Sequence, residues 1–178
     1  MPNRPGYLRE SAGPGWVLVG DAGHFKDPSP GQGIADALRQ VVALAPVIER
    51  ALGGGEEPDR LLRAWWEWRD RDAWEMYRFA AEMGSAGPAP PLVREVQRRI
   101  ARDPELTDGL LRVLNHDMPP SSVFTPAVGL RALAKGVLRR GTPRLALLRD
   151  ARSTIAEQLR DRRPPAPPPA RPLPAASF

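Results

Sequence analysis

Residues 16–45 read WVLVGDAGHFKDPSPGQGIADALRQVVALA, and they decide how the rest of the chain is understood. Trp16-Val17-Leu18-Val19 is a short apolar run, rich in β-branched residues and bounded by glycines, and this predicts a buried strand ending at Gly20. Residues 20–33 hold four glycines and two prolines, which predicts a loop. From Ile34 the pattern turns helical: Ile34, Leu38, Val41, Ala45, Ile48 and Leu52 recur at steps of three and four. Gly53-Gly54-Gly55 stops that helix, and Pro46 inside it predicts a kink or an early break.

A junction of this kind gathers unsatisfied backbone N–H groups at a helix N-terminus, where the helix dipole is positive. Gly31 and Gly33 let the backbone approach a ligand with no side chain in the way. Asp21, just past the strand, is placed to accept hydrogen bonds from ligand hydroxyls. Together these suit a ligand carrying a polyol and a group that can bear negative charge.

Gly20-Asp21-Ala22, Pro28 and Gly31-Gln32-Gly33-Ile34, following a hydrophobic strand and leading into a helix, resemble the C-terminal flavin-binding motif of FAD-dependent monooxygenases and related oxidoreductases. That group includes aromatic hydroxylases and geranylgeranyl-reductase-like flavoproteins. The resemblance implies that Asp21 holds the ribityl chain of FAD and that Pro28 lies by the isoalloxazine ring. It also implies that the amides around Gly31, Gln32 and Gly33 face the pyrimidine end of the ring, which becomes anionic on reduction. The implied activity is flavin-dependent oxidation or reduction of a small-molecule substrate, aromatic or isoprenoid, with NAD(P)H as reductant. Weaker likeness runs through Arg69-Asp70-Arg71-Asp72, Met76-Tyr77, Asp103-Pro104-Glu105, Pro119-Pro120 and Phe124-Thr125-Pro126, so that residues 15–135 are covered.

The family's adenosine-binding half, an N-terminal strand–GxGxxG–helix unit with an acidic residue about 20 positions beyond it, has no counterpart in these residues. The substrate-binding sheet that should follow it is missing as well. The expectation is therefore the C-terminal portion of a flavoenzyme that is not active alone: a truncated gene product, a product with a misassigned start, or a split protein whose other half is separate. In that reading the strand 16–19 has no sheet of its own to join.

The remaining segments predict helices. One begins near Pro58 and runs to about Met83, with Leu61, Trp65, Trp68, Met76 and Phe79 on one stripe and Trp66, Ala73, Tyr77 and Ala80 on the next, so it is covered on more than one side. GSAGPAPP at 84–91 reads as a linker. Helices follow over Leu92–Arg102, from Asp103-Pro104-Glu105 through Leu114, from Pro126 to about Val137, and from about Pro143 to Leu159. Seven prolines between Pro164 and Pro174 predict an extended, disordered tail. The fold class is mainly α with one short strand: a fragment of an α/β FAD-binding fold, a helical region and a Pro-rich tail. The corresponding divisions are residues 1–55, 56–162 and 163–178.

Composition sets the outer limits. The chain has 178 residues, no cysteine and two histidines, His24 and His116. Disulfides, thiolate metal sites and a cysteine nucleophile are excluded, and a multi-histidine centre is not expected. Neither a secretory leader nor a membrane span is visible, which reads as a cytoplasmic protein. The net charge of +5 is uneven: residues 1–130 hold fifteen basic and eighteen acidic side chains, and residues 131–178 hold eleven and three. A second reading is therefore a small helical protein whose Arg-rich residues 131–163 contact nucleic acid or an acidic partner. An arginine excess from a GC-rich genome weighs against the nucleic-acid version, since 24 of the 26 basic residues are arginines. His24 and Lys26 read either as flavin or substrate contacts or as solvated loop positions.

Overall fold

The computed structural model describes residues 6–54, 56–85 and 87–160. Six α-helices dominate: α1 (Gly33–Leu52), α2 (Pro58–Met83), α3 (Pro91–Ile100), α4 (Pro104–Leu114), α5 (Pro126–Leu138) and α6 (Arg144–Arg160). The mainly helical expectation is met. Proline at the first turn opens α2, α3, α4 and α5, where the missing N–H costs no hydrogen bond. Asp103 and Thr125 cap α4 and α5 by accepting from the amides of Leu106 and Val128. The expected tail at 163–178 lies outside the described residues.

Four two-residue strands precede α1: β1 (Tyr7–Leu8), β2 (Ala12–Gly13), β3 (Trp16–Val17) and β4 (His24–Phe25). The expected strand over 16–19 is shorter than its sequence suggests, and it is not without a partner. β3 pairs antiparallel with β2, Ala12 opposite Val17 and Gly13 opposite Trp16. The tight Pro14-Gly15 link, with Gly15 at φ +76°, makes that pairing local. Trp16 is 41% exposed, because it packs on the bare backbone of Gly13 rather than in the core. Residues 20–33 are not all loop: they hold a 3-10 turn (Gly20–Ala22) and β4, which pairs with β1.

The core has three parts. Ala12, Leu44, Leu62, Trp65 and Trp66 lock the hairpin and α1 onto α2. Met76 of α2 meets Val113 of α4 and Val123. Leu92, Ala132, Leu147 and Ala151 hold α3, α5 and α6 together. Trp65 and Trp66 of α2 are thus core residues, and Trp68 packs partly buried against them.

Helix α1 departs from expectation twice. It runs unbroken through Pro46, because Val42 and Pro46 lie on its exposed side and the carbonyl that loses its N–H partner can face water. Its apolar stripe also points outward. Ile34 is 81% exposed and Leu52 82%, with Leu38, Val41 and Ile48 also exposed, while Gln40 and Leu44 are the buried positions. Among the described residues no helix is long and apolar enough to cross a membrane.

Candidate functional site

The segment between β3 and α1 is held by its backbone. Gly20 sits at φ +57°, and a Cβ there would come within 3.2 Å of Ala37 Cβ, so both conformation and space call for glycine. Its amide donates to Gln40 Oε1 at 2.7 Å, and the Tyr7 hydroxyl donates to the Asp21 carbonyl at 2.7 Å. Asp21 is therefore pinned by its main chain while its carboxylate stays exposed. A methyl group added to Gly33 would lie 3.9 Å from Asp21 Oδ1, which puts this carboxylate beside the start of α1.

Pro28 and Gly31 form the next turn. The Gly31 amide donates to the Pro28 carbonyl at 2.8 Å, Gly31 stands at φ +70°, and the Asp27 carboxylate accepts from the Ser29 amide. The space a Cβ would take on Gly31 is open. No side chain caps the N-terminus of α1, and Gly33 and Ile34 are exposed there. Gln32 is different. Its side chain is buried, accepts from Lys26 Nζ at 3.0 Å, and donates to the carbonyls of Val113 and Leu114 at the end of α4. At 3% exposure, Gln32 ties the loop to α4 from within.

No family model, curated protein or solved structure matches the chain.

The exposed strip formed by Asp21, Pro28, Gly31, Gly33 and Ile34 rests on a buried polar layer. Lys26, 6% exposed, pairs with Asp36 at 2.6 Å in the first turn of α1. His116, at φ +63°, places Nε2 3.2 Å from the other Asp36 oxygen, and its Nδ1 meets Arg39. Arginine can only donate, so Nδ1 accepts and the proton sits on Nε2. Arg39 also reaches Asp72 of α2 at 3.2 Å.

His24 is sealed in, at 2% exposure. Because Gln40 Oε1 takes the Gly20 amide, its Nε2 faces His24 Nδ1 at 3.5 Å. The remaining proton of the ring is then on Nε2, which is buried with no partner. Burial lowers the His24 pKa to about 4; Asp36 opposes this, and Lys26 and Arg69 reinforce it. His116 is also lowered, chiefly by burial. Neither His24 nor Lys26 is a solvated loop residue.

A second buried group supports the hairpin. Arg69 Nη2 donates to Ser11 Oγ at 2.8 Å and its Nε pairs with Asp70 at 2.8 Å. Burial pulls the Arg69 pKa down and pushes the Asp70 pKa up. A Cβ on Gly23 would stand 2.4 Å from Ser11 Oγ, so this glycine makes room for the pair.

Asp36, Gln40, His116, Arg69 and Ser11 were not legible as site residues. Gln40 left a trace as a polar side chain inside an apolar helical pattern, and Arg69 and His116 were visible as residues but not as partners of Ser11 and Asp36, which they meet across long stretches of chain. Among the described residues no cluster of three or more His, Asp or Glu is arranged to hold a metal ion. Two clefts open around α3 and α4, lined by residues other than 20–34.

Proposed function

We propose that this chain is an FAD-binding portion of a flavin-dependent monooxygenase-like oxidoreductase. The observation that carries the reading is the exposed Asp21 carboxylate beside an uncapped, glycine-approached α1 N-terminus. An acceptor for polyol hydroxyls and a row of free amides stand together there, and the residues present fit a flavin. When bound, FAD supplies the hydride and oxygen chemistry, with NAD(P)H as reductant.

The chain's own contribution is positioning and electrostatics. Asp21 would hold the ribityl hydroxyls, its backbone fixed by Gln40 and Tyr7. Pro28 and Gly31 would shape a turn against the ring; of the amides around Gly31, Gln32 and Gly33, that of Gly31 is taken by the Pro28 carbonyl, so the uncapped start of α1 at Gly33 would face the pyrimidine end. The Lys26–Asp36 pair below holds the first turn of α1 in place without exposing a charge to the ligand. The exposed residues 21–34 offer no histidine or lysine to act as acid or base.

The bare apolar side of α1 supports a missing companion. Its stripe starts at Ile34, within the candidate site, and continues to Leu52. In this reading it is covered by a separate half carrying the adenosine-binding unit, and the substrate, aromatic or isoprenoid, enters between the two.

Titrating the 178-residue chain into FAD while following flavin fluorescence tests the proposal. Saturable quenching is expected, and Asp21→Ala should weaken it at least tenfold, since a hydrogen-bonded charge contributes about 1.5–3 kcal/mol. Binding that is indifferent to Asp21→Ala, or no binding at all, removes the assignment of this chain as an FAD site.

A further inference from the structure

A cleft of about 210 Å³ opens where α3, α4 and α5 converge, far from the α1 N-terminus in sequence and sharing no residue with it. Arg98, Arg99, Arg102, Lys135 and Arg139 line it, against two carboxylates, Glu95 and Asp103. Glu95 is 3% exposed, and one of its oxygens, Oε1, serves two guanidinium groups: it accepts from Arg98 and lies 3.1 Å from Arg139 Nε. Arg99 reaches Asp103 at 3.4 Å. Arg102 and Lys135, both exposed, have no acidic partner among the described residues.

Two facts separate this from an ordinary basic surface. Helix C-termini attract cations, and Arg98, Arg99 and Lys135 do occupy last turns, but that preference does not bring five cations onto one concavity. Nor does it call for a buried carboxylate beneath them. Gly136 keeps this approach close: a Cβ there would lie 3.1 Å from Glu95 Cγ of α3 and 2.8 Å from Leu147 Cδ2 of α6, so a larger residue would have to push both side chains aside. Arg99 Nε is buried without a partner, and Arg139 Nε is too far out of line with Glu95 to bond it. Those two nitrogens are sealed from solvent, so the donors left open to the cleft are those of the exposed Arg102 and Lys135.

We propose that this cleft binds the phosphate groups of a small anionic ligand. The surplus of cations over carboxylates matches a multiply charged anion, and planar guanidinium forks match phosphate oxygens. The volume lies below the range of pockets that enclose a drug-sized molecule, so a mono- or diphosphate group enters and the remainder of its ligand stays outside. A concave, three-helix enclosure favours such a group over a nucleic-acid backbone, which needs an extended track of cations.

The test is calorimetric titration of the full chain at low salt with inorganic pyrophosphate and, separately, with ADP. Saturation at one site per chain is expected, with affinity falling at least tenfold in the K135Q/R139Q double variant. R149Q/R152Q, two exposed cations of α6 away from the cleft, should change affinity less than twofold. K135Q alone, at an exposed position, should retain the native melting temperature and lose affinity several-fold, which separates binding from folding. Tighter binding of ADP than of pyrophosphate identifies a nucleotide ester as the source, and equal binding identifies the free anion. Absence of saturation, or equal losses in both double variants, overturns the proposal. So does a single-stranded oligonucleotide that binds more tightly than pyrophosphate and depends equally on both pairs of residues.

Discussion

His24 is a neutral imidazole in the fold, and its burial links stability to pH. Its ordinary pKa is 6.5 and its folded value is about 4. Above pH 6.5 the ring is neutral folded or unfolded, and its contribution is constant. As pH falls from 6.5 toward 4 the unfolded chain takes up a proton that the folded chain refuses, so stability declines across that window and levels off below it. The expected loss is about 3 kcal/mol at the lower end. Thermal melts between pH 7 and 4.5 should show a falling Tm, and His24→Phe should flatten that slope. Lys26 raises a different issue. Lys26→Met leaves the Asp36 carboxylate, only 12% exposed, without its cation. Breaking such a pair from one side costs about 3–5 kcal/mol. A urea midpoint unchanged in that variant would show that the pair does not hold α1 to the loop.

At the scale of elements, α1 carries the clearest conflict between propensity and context. Pro46 removes one hydrogen bond from the interior of a helix that continues past it. Pro46→Ala restores the bond at an exposed position and should stabilise the chain by about 1–3 kcal/mol, read as a higher melting temperature. The helix boundaries elsewhere were legible because the chemistry is local. Pro58, Pro91, Pro104 and Pro126 open helices at the positions where a lost N–H is harmless, and Gly53 and Gly84 close them. The short strands were not legible. Tyr7–Leu8 pairs with His24–Phe25 across an intervening hairpin, and two-residue strands have no periodicity to detect.

For the whole molecule, the informative feature is the apolar side of α1 that the remaining described elements leave uncovered. Exposed apolar faces of this kind mark interaction surfaces or sites of self-association. The chain should elute from size-exclusion chromatography with a concentration-dependent mass. Leu38→Glu with Ile48→Glu should suppress that association while leaving the melting temperature within a few degrees, since neither side chain is buried. A monomer at every concentration would mean that the face is content in solvent.

Local sequence, by itself, determined the helical class, most helix ends, the glycine-rich approach to α1 and the identity of the exposed candidate residues from Asp21 to Ile34. These depend on backbone conformation and on spacing within one or two turns, which neighbouring residues dictate. Tertiary structure alone decided which side of α1 is buried, that Gln32 turns inward to α4, and that Lys26, Asp36, His116 and Arg39 meet. It also decided that Glu95 gathers Arg98 and Arg139 around one cleft. The reason is physical: amphipathic periodicity states that a face is apolar, but what covers it depends on which distant elements bury more area elsewhere. For α1 the tryptophans of α2 won that competition with Leu44 and Ala43, and the longer stripe was left to face outward.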